Sequence, residues 1–247
     1  MQHWRLDCSR QTLVLAATGA RLPQVVYWGA PLPMAEDLAT IHAAHALDVT
    51  GGMLDENPDL SICPEASRTF PGQPGMIIRS ENGTPLLPKF CFESDDVTEA
   101  AIKLVYRDDT HGLYYTATFQ IDPVTHIITS QATLDADKPI HLHWLSAPVF
   151  PASQQSAEMI DFAGRWCGEF QPHRTAWSPG IRMRENRTGR TGHEHFPGLI
   201  IPEFGATNTT GSAHAFHYGW SVRLVKIPSS LRLVSRPVMV LLLTHSL

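Results

Sequence analysis

The chain has no excess of basic residues, no clustered cysteines and no long apolar run. Lys and Arg total 19 against 24 Asp and Glu, a formal net charge of −5. That balance argues against a nucleic-acid partner, which needs a basic face. Four cysteines (Cys8, Cys63, Cys91, Cys167) stand far apart without a Cys-x-x-Cys pair. The spacing speaks against a zinc ribbon or a redox dithiol, so they read as free thiols. Free thiols fit a reducing, cytoplasmic compartment. No apolar stretch reaches membrane-spanning length, so no membrane partner is expected. The N-terminal "MQHWRLDCSRQ" lacks the apolar core of a signal peptide. Asn82, Asn186 and Asn208 each begin an Asn-x-Ser/Thr triplet and read as turn residues. A Gly-x-Ser-x-Gly elbow is missing, which leaves nucleophilic serine chemistry without its signature. "GQPG" and "GATNTTGS" lack the Lys and the strand-to-helix context of a phosphate loop.

What is present is core-forming and strand-rich. Of 247 residues, 43% are hydrophobic and 17% charged, enough to fill a core. Nineteen prolines and 17 glycines predict many short elements joined by turns. "TLVLAATGA" and "PQVVYWGAPL" read as two strands around a turn, and "ATIHAAHALDV" as a short helix. Residues 48–75, rich in Gly, Pro, Asp and Ser, read as a long loop of the kind that often carries function. A meander follows: "AAIKLVYRDD", "LYYTATFQID", "IITSQATLDA" and "IHLHWLSAPVF". Ile102, Leu104 and Tyr106 alternate with Lys103, Val105 and Arg107, which predicts a half-buried strand. Turn signals every ten to twelve residues or so predict an all-β antiparallel sandwich or barrel with few short helices.

Two His-x-His pairs raise metal chemistry. On a strand both imidazoles share one face. His193 and His195, with Glu203, His214 and His217 downstream, loosely fit the donor set of a cupin-like metal protein. The alternative is a polar, hydrogen-bonded strand rim without metal, and this is the reading adopted: no metal and no cofactor. His141 and His143 beside Trp144 read as a half-exposed strand face. The aromatics Trp28, Trp144, Trp166, Trp177 and Trp220, with Tyr114, Tyr115, Phe119 and Phe170, are placed in strands. They suit core packing or stacking on sugar rings.

The string "FAGRWCGEFQPHRTAWSPGIRMRENRTGRTGHEHFPGLII", followed by "NTTGSAHAFHYGWS", resembles the N-terminal domain of the α-galactosidases of glycoside hydrolase family 36. The resemblance rests on Gly164–Trp166, Glu169–Phe170, Gly189–Pro197 and Gly211–Ser221, with Val25–Pro33 upstream. It spans roughly residues 10–221, and the Gly-Arg-Thr-x-His-x-His-x-Pro string is its most specific part. It implies a large antiparallel β-supersandwich. It also implies a parent enzyme that hydrolyses terminal α-galactosides such as melibiose and raffinose with retention, using two aspartates. Those aspartates belong to a TIM barrel that needs about 250 residues of its own. The chain spends its length on the sandwich, so it is expected to be inactive alone. The resemblance implies that the sandwich packs on the barrel and supports oligomers, and that a sandwich loop reaches the sugar site of a neighbouring subunit.

On this reading residues 1–221 form the sandwich domain and residues 222–247 an atypical tail. From Ser221 onward there is no Asp or Glu, while Arg223, Lys226, Arg232 and Arg236 remain. The abrupt change is expected to mark a frameshift or truncation. Within the loop, Arg68 is the candidate donor to a sugar hydroxyl and Phe70 the candidate stacking face. The signature and interface residues are Trp28, Arg165, Trp166, Arg190, His193, His195, Tyr218 and Trp220. The alternative function is a stand-alone carbohydrate-binding or assembly module.

Overall fold

A computed structural model describes residues 1–45, 58–178, 180–185, 195–219 and 238–243. These group into two compact units, one built from residues 1–150 and the other from residue 151 onward. Among the described residues no helix is long and apolar enough to cross a membrane.

The first unit contains β1 (Gln2–Asp7), β2 (Thr12–Ala17), β3 (Gln24–Gly29), α1 (Leu38–Ala44) and a single 3-10 turn, Ala66–Arg68. It continues with β4 (Met76–Ser80), β5 (Pro85–Leu86), β6 (Cys91–Val97), β7 (Ala101–Asp108), β8 (Leu113–Ile121), β9 (Ile128–Ala136) and β10 (Ile140–Leu145). The sheet orders are β1-β2-β3, β10-β4-β5 and β6-β7-β8-β9, and every pairing is antiparallel. This is the all-β sandwich architecture that the turn spacing predicts. The predicted alternation holds in β7, where Ile102, Leu104 and Tyr106 are buried. Across the ladder they face Phe119, Ala117 and Tyr115 of β8. Trp4, Leu6, Leu13, Leu15, Ile62, Phe90 and Ile140 close the same core. Each such side chain contributes roughly 1.5–3 kcal/mol by leaving water.

Strand β2 does not alternate; it is buried from end to end. Leu13 and Leu15 enter the main core, while Val14 and Ala16 meet Val26, Leu38 and Ile41 on the opposite side. Helix α1 covers that second face. Its N-cap is Asp37, whose carboxylate accepts from the Ala39 amide at 3.0 Å and the Thr40 hydroxyl at 2.7 Å.

Strands β1, β4, β5 and β6 of this unit escape the sequence reading. β1 interleaves Trp4 and Leu6 with Arg5 and Asp7 in so short a run that no turn signal sets it off. β6 reads "CFESDDV", a composition poor in strand formers. It forms as an edge strand because β7 supplies its ladder and because Trp4 Nε1 donates to Asp95 at 2.6 Å.

The second unit contains β11 (Glu158–Ala163), β12 (Gln171–Ala176), β13 (Gly180–Glu185), β14 (His195–Pro202), β15 (Ala213–His217) and β16 (Val238–Leu243). One sheet runs β12-β11-β14-β15, and β13 pairs separately with β16. Its core is thin. Among the described residues it is built on Met159, Leu199 and Ile201, with Trp177 and Phe216 against them. A chain of ring contacts, Phe162–Phe196–Phe170 with His217 on Phe196, adds to it.

The described part of the long loop, residues 58–75, is woven into the first unit. Ile62 and Cys63 are fully buried. The Ile62 amide donates to the Pro23 carbonyl, its own carbonyl accepts from Val149, and the Gly75 amide donates to Pro64, each at 2.8 Å. Burial pushes the Cys63 thiol far above its ordinary pKa, so it is inert. Gly75 lies so close that a Cβ there would sit 2.6 Å from Cys63 Sγ and 2.9 Å from its Cα. Backbone cannot retreat cheaply, so Gly75→Ala is expected to cost about 2 kcal/mol in urea unfolding.

Candidate functional site

The loop candidates meet at one surface cleft. Arg68 and Phe70 line it with Arg21, Leu22, Pro58, Asp59, Ser61 and Glu65. The 3-10 turn brings Glu65 and Arg68 onto one side. Arg68 Nε donates to Glu65 Oε2 at 2.8 Å, and Arg68 Nη2 donates to the Phe90 carbonyl at 2.9 Å. The other carboxylate oxygen, Glu65 Oε1, accepts from the Phe90 amide at 2.7 Å. The clamp therefore closes on both polar groups of Phe90, whose side chain is fully buried. The Glu65 and Arg68 side chains are 4% and 18% exposed, which removes most of the solvent screening that weakens surface pairs.

The clamp changes what Arg68 offers. Its Nε and one Nη2 donor hold the fold, so only the rest of the guanidinium is left for any ligand. Phe70, half-buried at the rim, keeps a ring at the mouth. Between them stands Thr69 with φ 61°, a left-handed position unusual for a β-branched residue. The cleft itself measures about 30 Å³, the volume of a single liquid water, as against roughly 300–1,000 Å³ for small-molecule sites. It is sized for a hydroxyl or a water and is far too small for a hexose.

A second candidate surface is the loop Gly164–Phe170 between β11 and β12. Here the structure differs from the expectation that Trp166 and Phe170 sit in strands. The chain turns back on itself, with the Gly168 amide donating to the Arg165 carbonyl at 2.8 Å. Gly164 has φ 140°, and a Cβ there would overlap the Gly168 carbonyl. Cys167 and Phe170 are left-handed at φ 64° and 55°. The result holds Trp166 out into water, 85% exposed, beside a half-exposed Phe170.

The other signature residues divide. Trp28 is packed: Nε1 donates to Gln11 Oε1 at 2.7 Å and the ring meets Phe150 edge-on. Tyr218 is half-buried; burial raises its phenol pKa, and its amide donates to the Pro197 carbonyl at 2.8 Å. His195 opens β14 opposite Ala163. Arg190, His193 and Trp220, with most of the tail after Ser221, lie outside the described residues. Among the described residues no three His, Cys, Asp or Glu side chains gather as a metal would require. The sequence reading missed Glu65, Arg21, Asp59 and Ser61; nothing in the string marks an acid as the acceptor for a backbone amide 25 residues away.

Comparison with known proteins decides the family. The profile of the glycosyl hydrolase family 36 N-terminal domain matches residues 21–222. The chain belongs to this family. It is 30% identical over 227 residues to an alpha-galactosidase of Escherichia coli, covering 89% of this chain and 30% of that protein. The family 36 fold recurs in solved structures. The alpha-galactosidase of Geobacillus stearothermophilus matches 87% of this chain with a TM-score of 0.72 at 18% identity, over 33% of its own length. A variant of that enzyme, solved in complex with raffinose, matches with a TM-score of 0.73 at 16% identity, over 87% of this chain and 33% of its own. The alpha-galactosidase of Lactobacillus brevis matches with a TM-score of 0.72 at 15% identity, over 87% and 32%. The chain thus spans about a third of the length of these relatives and corresponds to their N-terminal portion.

The clamp gives this family 36 domain a pH signature. Burial, the first cause, raises the Glu65 pKa above its ordinary 4.5, opposed by the Phe90 amide and Arg68. The folded chain therefore holds the Glu65 proton to higher pH than the unfolded chain. This contribution to stability is full below pH 4.5 and fades as pH rises through the elevated value. Glu65→Gln, which keeps an acceptor for Phe90, is expected to flatten that limb in urea unfolding measured across pH. Glu65→Ala strands both Arg68 and the Phe90 amide and is expected to cost about 3 kcal/mol at neutral pH.

Proposed function

We propose that this chain is the non-catalytic N-terminal domain of a cytoplasmic α-galactosidase acting on terminal α-galactosides such as melibiose and raffinose. The family match over residues 21–222, at only 30% of the length of the Escherichia coli enzyme, is the observation that carries this reading. On this view the domain spans residues 1–221, with residues 222–247 as a distinct tail. Catalysis belongs to a TIM barrel carrying the two aspartates. The sandwich packs against that barrel, supports assembly into oligomers and contributes an edge to a sugar site. Arg68 and Phe70 are assigned to that edge; a cleft the size of one water is consistent with an edge completed by another surface. Arg165 and Trp166, with Trp28, Arg190, His193, His195, Tyr218 and Trp220, are assigned to the barrel-facing side or its support. The exposure of Trp166 favours this assignment, because aromatic anchors dominate the energetics of interfaces.

Two measurements test the reading. The purified chain is expected to release no aryl alcohol from an aryl α-galactoside; turnover that persists through purification contradicts the proposal. The separately produced barrel of the Escherichia coli relative is expected to bind the chain in calorimetric titration. Trp166→Ala is expected to weaken that association by about 2 kcal/mol, on the order of thirtyfold. Unchanged affinity removes Trp166 from the interface.

A further inference from the structure

Helix α1 buries one side chain fully, and it is an imidazole. His42 is 5% exposed, while the apolar residues that seat the helix, Leu38 and Ile41, are only partly buried. Beneath it lies His3 of β1, ring edge to ring face, with centroids 5.5 Å apart and planes at 85°. His42 Nδ1 and His3 Nε2 are both cut off from solvent, and neither has a hydrogen-bond partner among the described residues. Two buried, unsatisfied nitrogens in neighbouring rings are costly for stability and need a reason.

From this geometry we infer that His42, seated on His3, is a pH-sensitive latch: its neutral imidazole holds α1 on the β1-β2-β3 sheet, and its protonation releases the helix. A neutral ring tolerates burial; an imidazolium there has lost its water and gained nothing. Most of the charges around His42 point the same way. His3 on β1, His45 at the helix C-terminus and the amino group of Met1 oppose a proton on His42, and only Asp59 favours it. Asp37 at the other end of the helix is engaged by Ala39 and Thr40, and its charge acts on His3 rather than on His42. Burial is the largest cause, and the sum depresses the His42 pKa below its ordinary 6.5.

The sign follows. The undocked helix takes up a proton at higher pH than the docked one, so docking is fully supported above 6.5 and is lost as pH falls below it. Among the described residues, little else holds the helix. Its contacts are with β3 and with the small apolar cluster around Val14, Ala16 and Val26. Local release of this kind needs far less free energy than unfolding of the core strands. Asp59 also lines the cleft with Arg68 and Phe70, so the charge state of His42 is felt at that rim.

Amide hydrogen exchange of the full chain from pH 8 to pH 5, corrected for the intrinsic pH dependence of exchange, tests the latch. The expected result is selective loss of protection in residues 38–45 below pH 6.5, while β7 and β8 keep theirs. His42→Leu is expected to keep helix protection constant across the range, and His42→Gln, which cannot ionise, to do the same at lower overall protection. Protection in β7 and β8 reports in the same experiment that each variant is folded. Wild-type protection in residues 38–45 that is independent of pH overturns the inference. So does an identical acid-dependent loss in both variants.

Discussion

The first unit depends on the burial of β2 on both of its faces. A central strand covered on one side alternates apolar and polar residues; β2 reads Leu13, Val14, Leu15, Ala16, with no polar position to spare. One face closes the sandwich core with Trp4, Ile102 and Tyr115. The other would stand as an apolar strip in water unless something covered it, and α1 is that cover. The helix is short, and seating it puts His42 against His3. A constraint of packing thus places a titratable pair inside the structure, where sequence pattern alone would ask for a leucine.

A comparable constraint shapes the rim. Ile62 and Cys63 plunge into the core, so the chain must climb out again, and the Glu65–Arg68 clamp on Phe90 fixes how it does so. Where it is described, the loop that results is tied to the first unit by backbone and side-chain hydrogen bonds. It presents Phe70 and part of Arg68 at a cleft too small for a sugar ring. A tied-down loop with so small a cleft suits a domain that lends an edge to a larger site. The Gly164–Phe170 loop tells a parallel story: left-handed Cys167 and Phe170 hold Trp166 in solvent, a cost without return in an isolated unit.

The parts of the fold that a sequence encodes locally were legible. The 102–106 alternation, the turns around it and the short helix all appear where the pattern put them. The family string was legible because glycines and aromatics at fixed offsets form a pattern that chance seldom builds. What failed to show was anything set by distant partners. β6 is a strand because of β7 and Trp4, against its own acidic composition. Arg68 looked like a free recognition group because Phe90, its second partner, lies 22 residues away. Trp166 was read as a strand residue because the tightness of its loop depends on a Gly164 conformation that only close approach to Gly168 explains.

The central claim is that this chain supplies part of a galactoside site and lacks a complete one. Calorimetric titration of the full chain alone with raffinose tests it most directly. The account predicts no saturable heat at millimolar sugar, because a cleft of about 30 Å³ cannot bury a hexose. Saturable one-to-one binding that Phe70→Ala abolishes would contradict it and would make the domain a sugar-binding module in its own right.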